Sequence, residues 1–382
     1  MQFIRLYNSF EEATFVRRVN RFVLELDLKG KRIYAHLPNT GRLYEFLEPG
    51  RPFYVVKVDK GKYPYKAVSA YFDGQFIFID TIKSNYLFYS LLKAGVIEDL
   101  KCKWIKREYR IADSRFDFFL EWGMEKAFIE VKTCTLCSGG LGMFPDAPTS
   151  RGRKHIDKLS NLAEKGYKCY VVFLIPNYNA IQFIPNYHVD LEYASSFVKA
   201  KGVKFRAFKM KFVDPVTVDL SSVDEVTVQY EAVRKNLVDK GTYVLVLKND
   251  KDQELSVGGL GKVNFRRGFY VYVGSAQTSL EKRLKRHFSV SKKRWWHIDY
   301  IGNSMRVFRV FVVRGEKRCE KEIAMDLMKI CDGYIPGFGT GDSPVQSHLF
   351  YFYDQALSFY PPVLNKVFLS VLPFQVRSLP LV

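Results

Sequence analysis

Two carboxylates and a lysine lie on neighbouring strand-like runs, and these are the side chains from which metal-assisted phosphoryl chemistry is built. Arg115 to Trp122 alternates, with Phe116, Phe118 and Leu120 on one face and Asp117, Phe119 and Glu121 on the other, as a half-buried strand should. Ala127 to Lys132 repeats the pattern: Ala127, Ile129 and Val131 are apolar, while Glu130 and Lys132 share the opposite face with Phe128. With Gly123 and Met124 as the central residues of a type II′ turn, Asp117 stands directly opposite Glu130. Facing residues have Cβ atoms roughly 5 Å apart, and like charges there repel. A divalent cation, Mg²⁺ or Mn²⁺, would offset that repulsion while staying open to water and a phosphate, and Lys132 would stabilise charge or orient the water. The same residues also fit a solvated hairpin face, in which Glu121 opposite Lys126 is an ordinary cross-strand salt pair.

The elements that must position these groups are read from composition and pattern. At 382 residues the chain should hold two or three domains, and 47% hydrophobic residues suffice for packed cores. A formal charge of +19 and a pI near 9.5 call for a polyanionic partner, with nucleic acid ahead of an anionic membrane. No run approaches 18 apolar residues, and no signal-peptide core precedes Glu11 and Glu12, which predicts a soluble cytoplasmic protein. Cys134 and Cys137 form one C-x-x-C, but no second pair stands at zinc-ribbon spacing. The cysteines therefore read mostly as small buried side chains.

Residues 1–82 read as all-β, with strands at Thr14–Leu28, Arg32–Leu37, Phe53–Val58, Lys66–Tyr71 and Gln75–Asp80 separated by glycines. Five strands in about 80 residues suggest a small OB-like barrel. Arg17, Arg18, Arg21, Arg32 and Arg42, with Tyr34, His36 and Tyr44, would supply phosphate contacts and stacking surfaces, or simply a solvated basic edge. Ser84 would cap a helix to Ala94, followed by a strand at Trp104–Arg110 and the hairpin. A helix from Thr149 or Ser150 to about Lys165 turns Ile156, Leu159 and Ala163 to the sheet and leaves Arg151, Lys154, His155 and Lys158 on a neighbouring face. A buried strand at Tyr167–Ile175, a helix at Asp190–Lys201 and a strand at Val203–Phe212 complete an α-β-β-β-α-β-α-β order.

That order, with Asp117 and Glu130-Val131-Lys132 in its central strands, resembles the PD-(D/E)XK nuclease core. More closely, residues 1 to about 218 are similar to the sugar fermentation stimulation protein family, on the stretches NRFVLEL, AHLPNTGRLYEFLEPG, IDT, SRFDFFLE, EVK, TLCSGGLGMFPDAPTSRGRKH and DLEYASSFVKAKGV. The resemblance implies an OB-like domain over 1–82 and a nuclease-like core over 83–218. It places Glu108, Asp117, Glu130 and Lys132 at the acidic site and implies DNA binding, with a regulatory role as the alternative to catalysis.

Residues 219–240 read as a connector, partly helical from Asp224 onward. A second unit, 241–354, starts with Gly241-Thr242-Tyr243 and carries Tyr272-Val273-Gly274 on its next strand. Ser279 caps a helix with Leu280 and Leu284 inward and Arg283 and Arg286 outward. From Lys262 to Arg318 there are fifteen Lys or Arg against three acids, the footprint of a phosphate-binding surface. These residues resemble a GIY-YIG nuclease module of the variant carrying W-H-I-D-Y, here Trp296–Tyr300, and P-G-F-G, here Pro336–Gly339. The resemblance assigns Tyr243 and Tyr272 to general-base and orienting roles, Arg283 to an electrostatic clamp, and a helix glutamate to a metal. Glu320 is favoured over Glu322 for that glutamate, because it lies one turn before the apolar stripe Ile323, Ala324, Leu327 and Met328. A tyrosine needs a lowered pKa to accept a proton, which an adjacent metal or arginine would provide.

Thr242 stands where the family usually has Ile, which should be harmless, and the cysteines that relatives carry near Ser343–Gln346 are missing, which weakens a metal site near His348. His287, His297 and His348 would touch phosphate or metal, or serve as core or capping residues. The apolar, proline-punctuated tail, 355–382, should pack on a domain or partner. The expectation is thus an α/β and α+β multidomain protein: a five-stranded OB-like barrel, a PD-(D/E)XK-like α/β core and a GIY-YIG-like α+β domain. It would be a Mg²⁺- or Mn²⁺-dependent endonuclease or a non-catalytic DNA-binding regulator, with DNA before RNA as partner, no membrane, and self-association into a homo-oligomer left open.

Overall fold

Short alternating runs bounded by glycine make the first strands. The computed structural model describes residues 2–111, 114–289, 293–341, 344–354 and 358–378, in two units, Met1–Arg234 and Lys235–Val382. After β1 (Phe3–Arg5) come β2 (Glu11–Asn20), β3 (Val23–Leu28), β4 (Lys31–His36), β5 (Pro52–Lys57), β6 (Tyr65–Phe72) and β7 (Gln75–Phe78). They pair in the order β4-β3-β2-β5-β6-β7, and β4 returns to pair with β6. That pairing closes a five-stranded barrel, consistent with an OB fold, with β7 attached outside the closure. The run Thr14–Leu28, expected as one strand, is a hairpin. The chain reverses at Arg21–Phe22, where the Asn20 side chain accepts the Phe22 N–H at 2.8 Å.

The second part of this unit is an α/β core: α1 (Ser84–Lys93), β8 (Trp104–Ile111), β9 (Ser114–Trp122), β10 (Glu125–Thr133), β11 (Cys137–Ser138), β12 (Leu141–Phe144), α2 (Ser150–Ala163), β13 (Lys168–Ile175), β14 (Gln182–Pro185), α3 (Leu191–Lys199) and β15 (Val203–Lys209). Then follow β16 (Phe212–Asp214), β17 (Thr217–Asp219), β18 (Asp224–Val228) and α4 (Tyr230–Asn236). Nine strands form one sheet, β11-β12-β14-β18-β15-β13-β10-β9-β8. The stretch 219–240, expected as a connector, therefore contributes a strand: β18 lies between β14 and β15 and joins the two halves of the sheet. Its Asp-Glu-Val-Thr-Val sequence is too polar to stand out as an inner strand.

Both faces of the sheet are covered, as its parallel centre requires. Phe118, Leu120, Ile129, Val131 and Val172 pack beneath Leu87, Phe88 and Leu91 of α1 in a core that also takes Val56, Val68 and Phe78 from the barrel. On the other face Phe119, Phe128, Val171 and Phe173 meet Ile156, Leu159 and Leu162 of α2 and Phe197 of α3. Thr149 and Asp190 cap these two helices, accepting from Gly152 at 3.1 Å and Tyr193 at 2.9 Å. Ser84, expected as a cap, makes no such bond; its Oγ meets Thr133 Oγ1 at 2.5 Å and fixes the start of α1 beside β10. Between barrel and core, buried Asp80 accepts from Tyr7 and the Ile82 N–H and pairs with Lys66 at 3.1 Å.

The second unit is an antiparallel sheet that begins with β19 (Gly241–Asn249), an inner strand. A small hairpin, β20 (Gln253–Ser256) and β21 (Lys262–Phe265), leads to β22 (Gly268–Ala276), α5 (Leu280–Phe288), α6 (His297–Ile301), β23 (Arg306–Arg314), α7 (Glu320–Ile330), β24 (Gly333–Tyr334), β25 (Leu349–Phe352) and α8 (Val363–Arg377). The order is β23-β19-β22-β25-β24. The described part of the tail is a packed helix: Val367, Val371 and Leu372 of α8 are buried, and Gln375 donates to the Val312 carbonyl at 2.7 Å. Among the described residues no helix is long and apolar enough to cross a membrane.

Candidate functional site

The β9–β10 hairpin pairs Trp122 with Glu125 and Phe118 with Ile129, so the turn is Gly123–Met124 and the register brings Asp117 and Glu130 across from each other. The ladder ends there. Asp117 Oδ2 accepts the Val131 N–H at 2.7 Å, and its other oxygen takes the Asn85 side-chain amide of α1, also at 2.7 Å. The expected face assignment fails at one residue: Phe116 packs with Phe119 and Phe128, not with Phe118 and Leu120. Alternation slips at Asp117. Glu108, on the neighbouring β8 stretch, has φ of 53°, a left-handed conformation unusual for a residue with a side chain.

Glu130 is buried and lies between Lys132 and His155. Its Oε1 pairs with Lys132 and stands 2.5 Å from His155 Nδ1 on α2. Its Oε2 is buried and has no hydrogen-bond partner among the described residues. Burial, and then the charge of Glu130, push the Asp117 carboxyl up to about 6, against Lys132, the Val131 N–H and Asn85. Burial also pushes Glu130 up, but Lys132 and His155 outweigh it and hold that carboxyl below its ordinary value. Two facing carboxylates, one resisting ionisation and one with an unused buried oxygen, are a donor set that a hard divalent cation fits. Among the described residues no three His, Cys, Asp or Glu side chains converge to hold an ion by themselves, so water or substrate phosphate would supply the remaining ligands, as Mg²⁺ commonly requires. Glu108 stands aside: it is exposed, pairs with Arg115 at 3.0 Å, and meets the site only through Asn85 at 3.5 Å.

A cleft of about 400 Å³ opens beside these groups, with Lys132, Asn85, Thr149 and Arg151 on the core side and Arg21 and Thr40 on the barrel side. The basic residues expected to meet nucleic acid divide on their contacts. Arg21 and Arg151 are exposed and line the cleft, and Lys154 is exposed on α2. Arg42 is half-buried, with its carbonyl held by Arg18. Arg17 pairs with Glu25 at 2.7 Å. Arg18 is not a surface contact: it is 2% exposed and donates to the carbonyls of Arg21, Gly41 and Arg42 at 2.6–2.9 Å, bracing the 40s loop. Gly41 in that loop presses on half-buried Asp146, where a Cβ would fall 2.3 Å from a carboxylate oxygen. His155 also departs from expectation, turning inward to Glu130. Its spacing to Leu159 and Leu162, four and seven residues on, is the signal that places it on the buried face. Asn85 had no such signal beyond following the I-D-T turn.

In the second unit Tyr243 and Tyr272 lie with ring centroids 6.3 Å apart, and Tyr243 Oη meets His287 Nε2 at 2.8 Å. Gly274 gives this arrangement room, since a Cβ there would sit 2.6 Å from Tyr243 Oη. Arg283 lies close enough to pull the Tyr243 phenol down, and Glu320 acts electrostatically on Tyr243, Tyr272 and His348, whereas Glu322 acts on Cys319. Of the two groups expected to lower a tyrosine pKa, the arginine alone does not suffice. Burial, with Tyr272 second, pushes the Tyr243 phenol far above its ordinary value, and burial with Glu320 does the same to Tyr272; Arg283 pulls both down but does not prevail. His287 is buried against Tyr243 and Arg286 is bound to Asp299 at 2.7 Å, so both are structural before they are phosphate contacts. His297 Nδ1 accepts the Gly339 N–H at 3.1 Å, and burial lowers its pKa. His348 is buried, and Ser343 lies outside the described residues. Thr242 is more than a neutral replacement: its hydroxyl accepts the Cys319 N–H at 3.0 Å, a bond isoleucine cannot make, and fixes the start of α7 just before Glu320.

Residues 16–79 match the SfsA N-terminal OB domain, residues 83–215 the sugar fermentation stimulation protein RE domain, and residues 242–367 a domain of unknown function, DUF123. A sugar fermentation stimulation protein homolog from Desulfitobacterium hafniense is 37% identical over 205 residues, 53% of this chain and 89% of that protein. The homolog from Moorella thermoacetica is 38% identical over 224 residues, 57% and 96%. The solved structure of Pyrococcus furiosus SfsA in complex with Ca²⁺ superposes with a TM-score of 0.55 and 31% identity, over 60% of this chain and 99% of that one.

Proposed function

Through its first unit the chain belongs to the sugar fermentation stimulation protein family, and we propose that this unit is a PD-(D/E)XK-like endonuclease acting on DNA with Mg²⁺ or Mn²⁺. The observation that carries the reading is the facing pair: Asp117 pushed up to about 6, and Glu130 with a buried oxygen left without a partner. Asp117 and Glu130 would hold the cation. When bound, it supplies Lewis-acid polarisation of the scissile phosphate and screens charge between the carboxylates and the DNA. The Ca²⁺ found with the Pyrococcus relative supports a divalent site of this kind.

The protein's own groups do the rest. Lys132 stabilises the negative charge that grows on the phosphate oxygens. His155 holds Glu130 in one orientation from behind, and Asn85 and the Val131 N–H do the same for Asp117. Arg21 and Arg151 on opposite walls of the cleft bind flanking phosphates and position the strand. In the second unit Arg283 and Glu320 beside Tyr243 and Tyr272 support a GIY-YIG-like role, in which the high-pKa phenols act as hydrogen-bond donors to phosphate.

Incubation of plasmid and single-stranded DNA with Mg²⁺ or Mn²⁺ tests this. With the second unit silenced by Glu320→Ala, cleavage is expected to persist in that protein and to be lost when Asp117→Ala or Glu130→Ala is added; equal cleavage by all three proteins refutes it. The second reading is a DNA-binding regulator of sugar-metabolism genes that retains the nuclease-like fold as a scaffold. It is favoured if binding needs no metal and the alanine substitutions only tighten it, because they remove like charge facing the phosphates.

A further inference from the structure

Two adjacent tryptophans stand out of the most basic part of the second unit. Trp295 is 65% exposed and Trp296 41%, an unusual placement for the largest apolar side chains. They are nevertheless held in place. The buried carboxylate of Asp299 accepts the backbone N–H groups of both, at 3.0 and 3.1 Å, and pairs with Arg286 at 2.7 Å. Their backbone is therefore fixed before any ligand arrives, which lowers the cost of ordering the segment on binding.

Cations surround them. Lys293 Nζ lies 4.6 Å from the Trp295 ring centre, and the guanidiniums of Arg283 and Arg286 lie 4.1 and 5.0 Å from that of Trp296. Arg283 also acts electrostatically on the Tyr243 phenol, so one side chain lies between the exposed indoles and the tyrosine cluster. Arg294 adds charge, 5.2 Å from the Tyr300 ring.

We propose that Trp295 and Trp296, pinned by Asp299 and ringed by Lys293, Arg283 and Arg286, form a stacking platform for an unpaired nucleic-acid strand, delivering its backbone to Arg283 and the Tyr243–Tyr272 pair. Exposed aromatic faces interleaved with cations match the alternation of base and phosphate along a single strand. A duplex offers no free base face except at its ends, so the platform distinguishes the two forms. The proposal rests on nucleic acid as the partner but not on cleavage in the first unit.

The test is binding by the full-length protein in EDTA, which silences metal-dependent cleavage and separates this proposal from the preceding one. A single-stranded oligothymidine and a duplex of equal length are titrated at one fixed salt concentration. Trp295→Ala is expected to weaken single-strand affinity roughly tenfold, to leave duplex affinity within twofold, and to reduce the tryptophan quenching seen on binding. Trp295→Phe, which keeps an aromatic face, should restore most of the affinity. The proposal is overturned if Trp295→Ala leaves single-strand affinity within twofold of wild type, which would make the indoles a protein-docking patch, or if it weakens both ligands equally. It is also overturned if Trp295→Phe is as defective as Trp295→Ala while its circular dichroism and Tm match the wild type.

Discussion

Asp117 takes the backbone N–H of Val131 at 2.7 Å, so a side chain of β9 bonds the main chain of β10 where the ladder between the two strands stops. The carboxylate is thereby fixed across from Glu130 instead of swinging away from it, and the repulsion between them is built into the fold.

That repulsion has a pH signature. Because the Asp117 carboxyl is raised to about 6 from 3.8, the folded state binds more protons than the unfolded one between these values, and stability falls as pH rises through them. Asp117→Asn removes the charge and should raise stability at pH 7–8 by about 1–3 kcal/mol. The gain should vanish below about pH 4, where the carboxyl is protonated in both states. Thermal melts of both proteins across pH 3.5–8 check this, and the same substitution, made together with Glu320→Ala, should abolish cleavage.

His155 acts through Glu130. His155→Gln should leave Mn²⁺-saturated cleavage nearly intact while raising the Mn²⁺ concentration at half-maximal rate about 10- to 100-fold, the usual cost of losing an orienting partner behind a metal ligand. A metal titration at fixed DNA concentration separates this from a general loss of activity.

Arg18 and Arg21 should give opposite results. Arg18→Met strands buried carbonyls of the 40s loop and should lower stability by about 2–4 kcal/mol, seen as a lower denaturant midpoint. Arg21→Ala should leave the midpoint unchanged, weaken DNA binding evenly across sequences, and reduce the salt slope of binding by about one.

Tyr243→Phe leaves the buried His287 ring without the phenol it meets at 2.8 Å. A loss of about 1–3 kcal/mol is expected, measured by urea unfolding of the full chain. A pH–rate profile for any activity of the second unit should show no tyrosine acting as a base near neutrality, since both phenols are shifted upward.

Period-two alternation and a glycine turn were enough to write the β9–β10 register, because a one-residue slip would turn Ile129 and Val131 outward. The same rule misplaced Phe116, since the alternation of one strand encodes neither the left-handed Glu108 on neighbouring β8 nor the Asn85 amide of α1 that holds Asp117. Thr14–Leu28 looked like one strand because its reversal uses Asn20, Arg21 and Phe22 without a glycine. Charge alone could not separate Arg18 from Arg21. The two differ by which carbonyls lie within reach, and these become neighbours only when the barrel closes. His155 was within reach of helical periodicity, whereas the tyrosine pKa shifts depend on burial that no local pattern encodes.

The seam made by β18 bears on how the protein can be divided. A fragment ending at residue 215, where the match to the RE domain stops, would lack Asp224–Val228 and leave β14 and β15 each with a bare edge. Unpaired inner edges invite pairing between molecules. Such a fragment should precipitate or oligomerise on expression, whereas one carried through Arg234 retains the missing strand and should remain in solution.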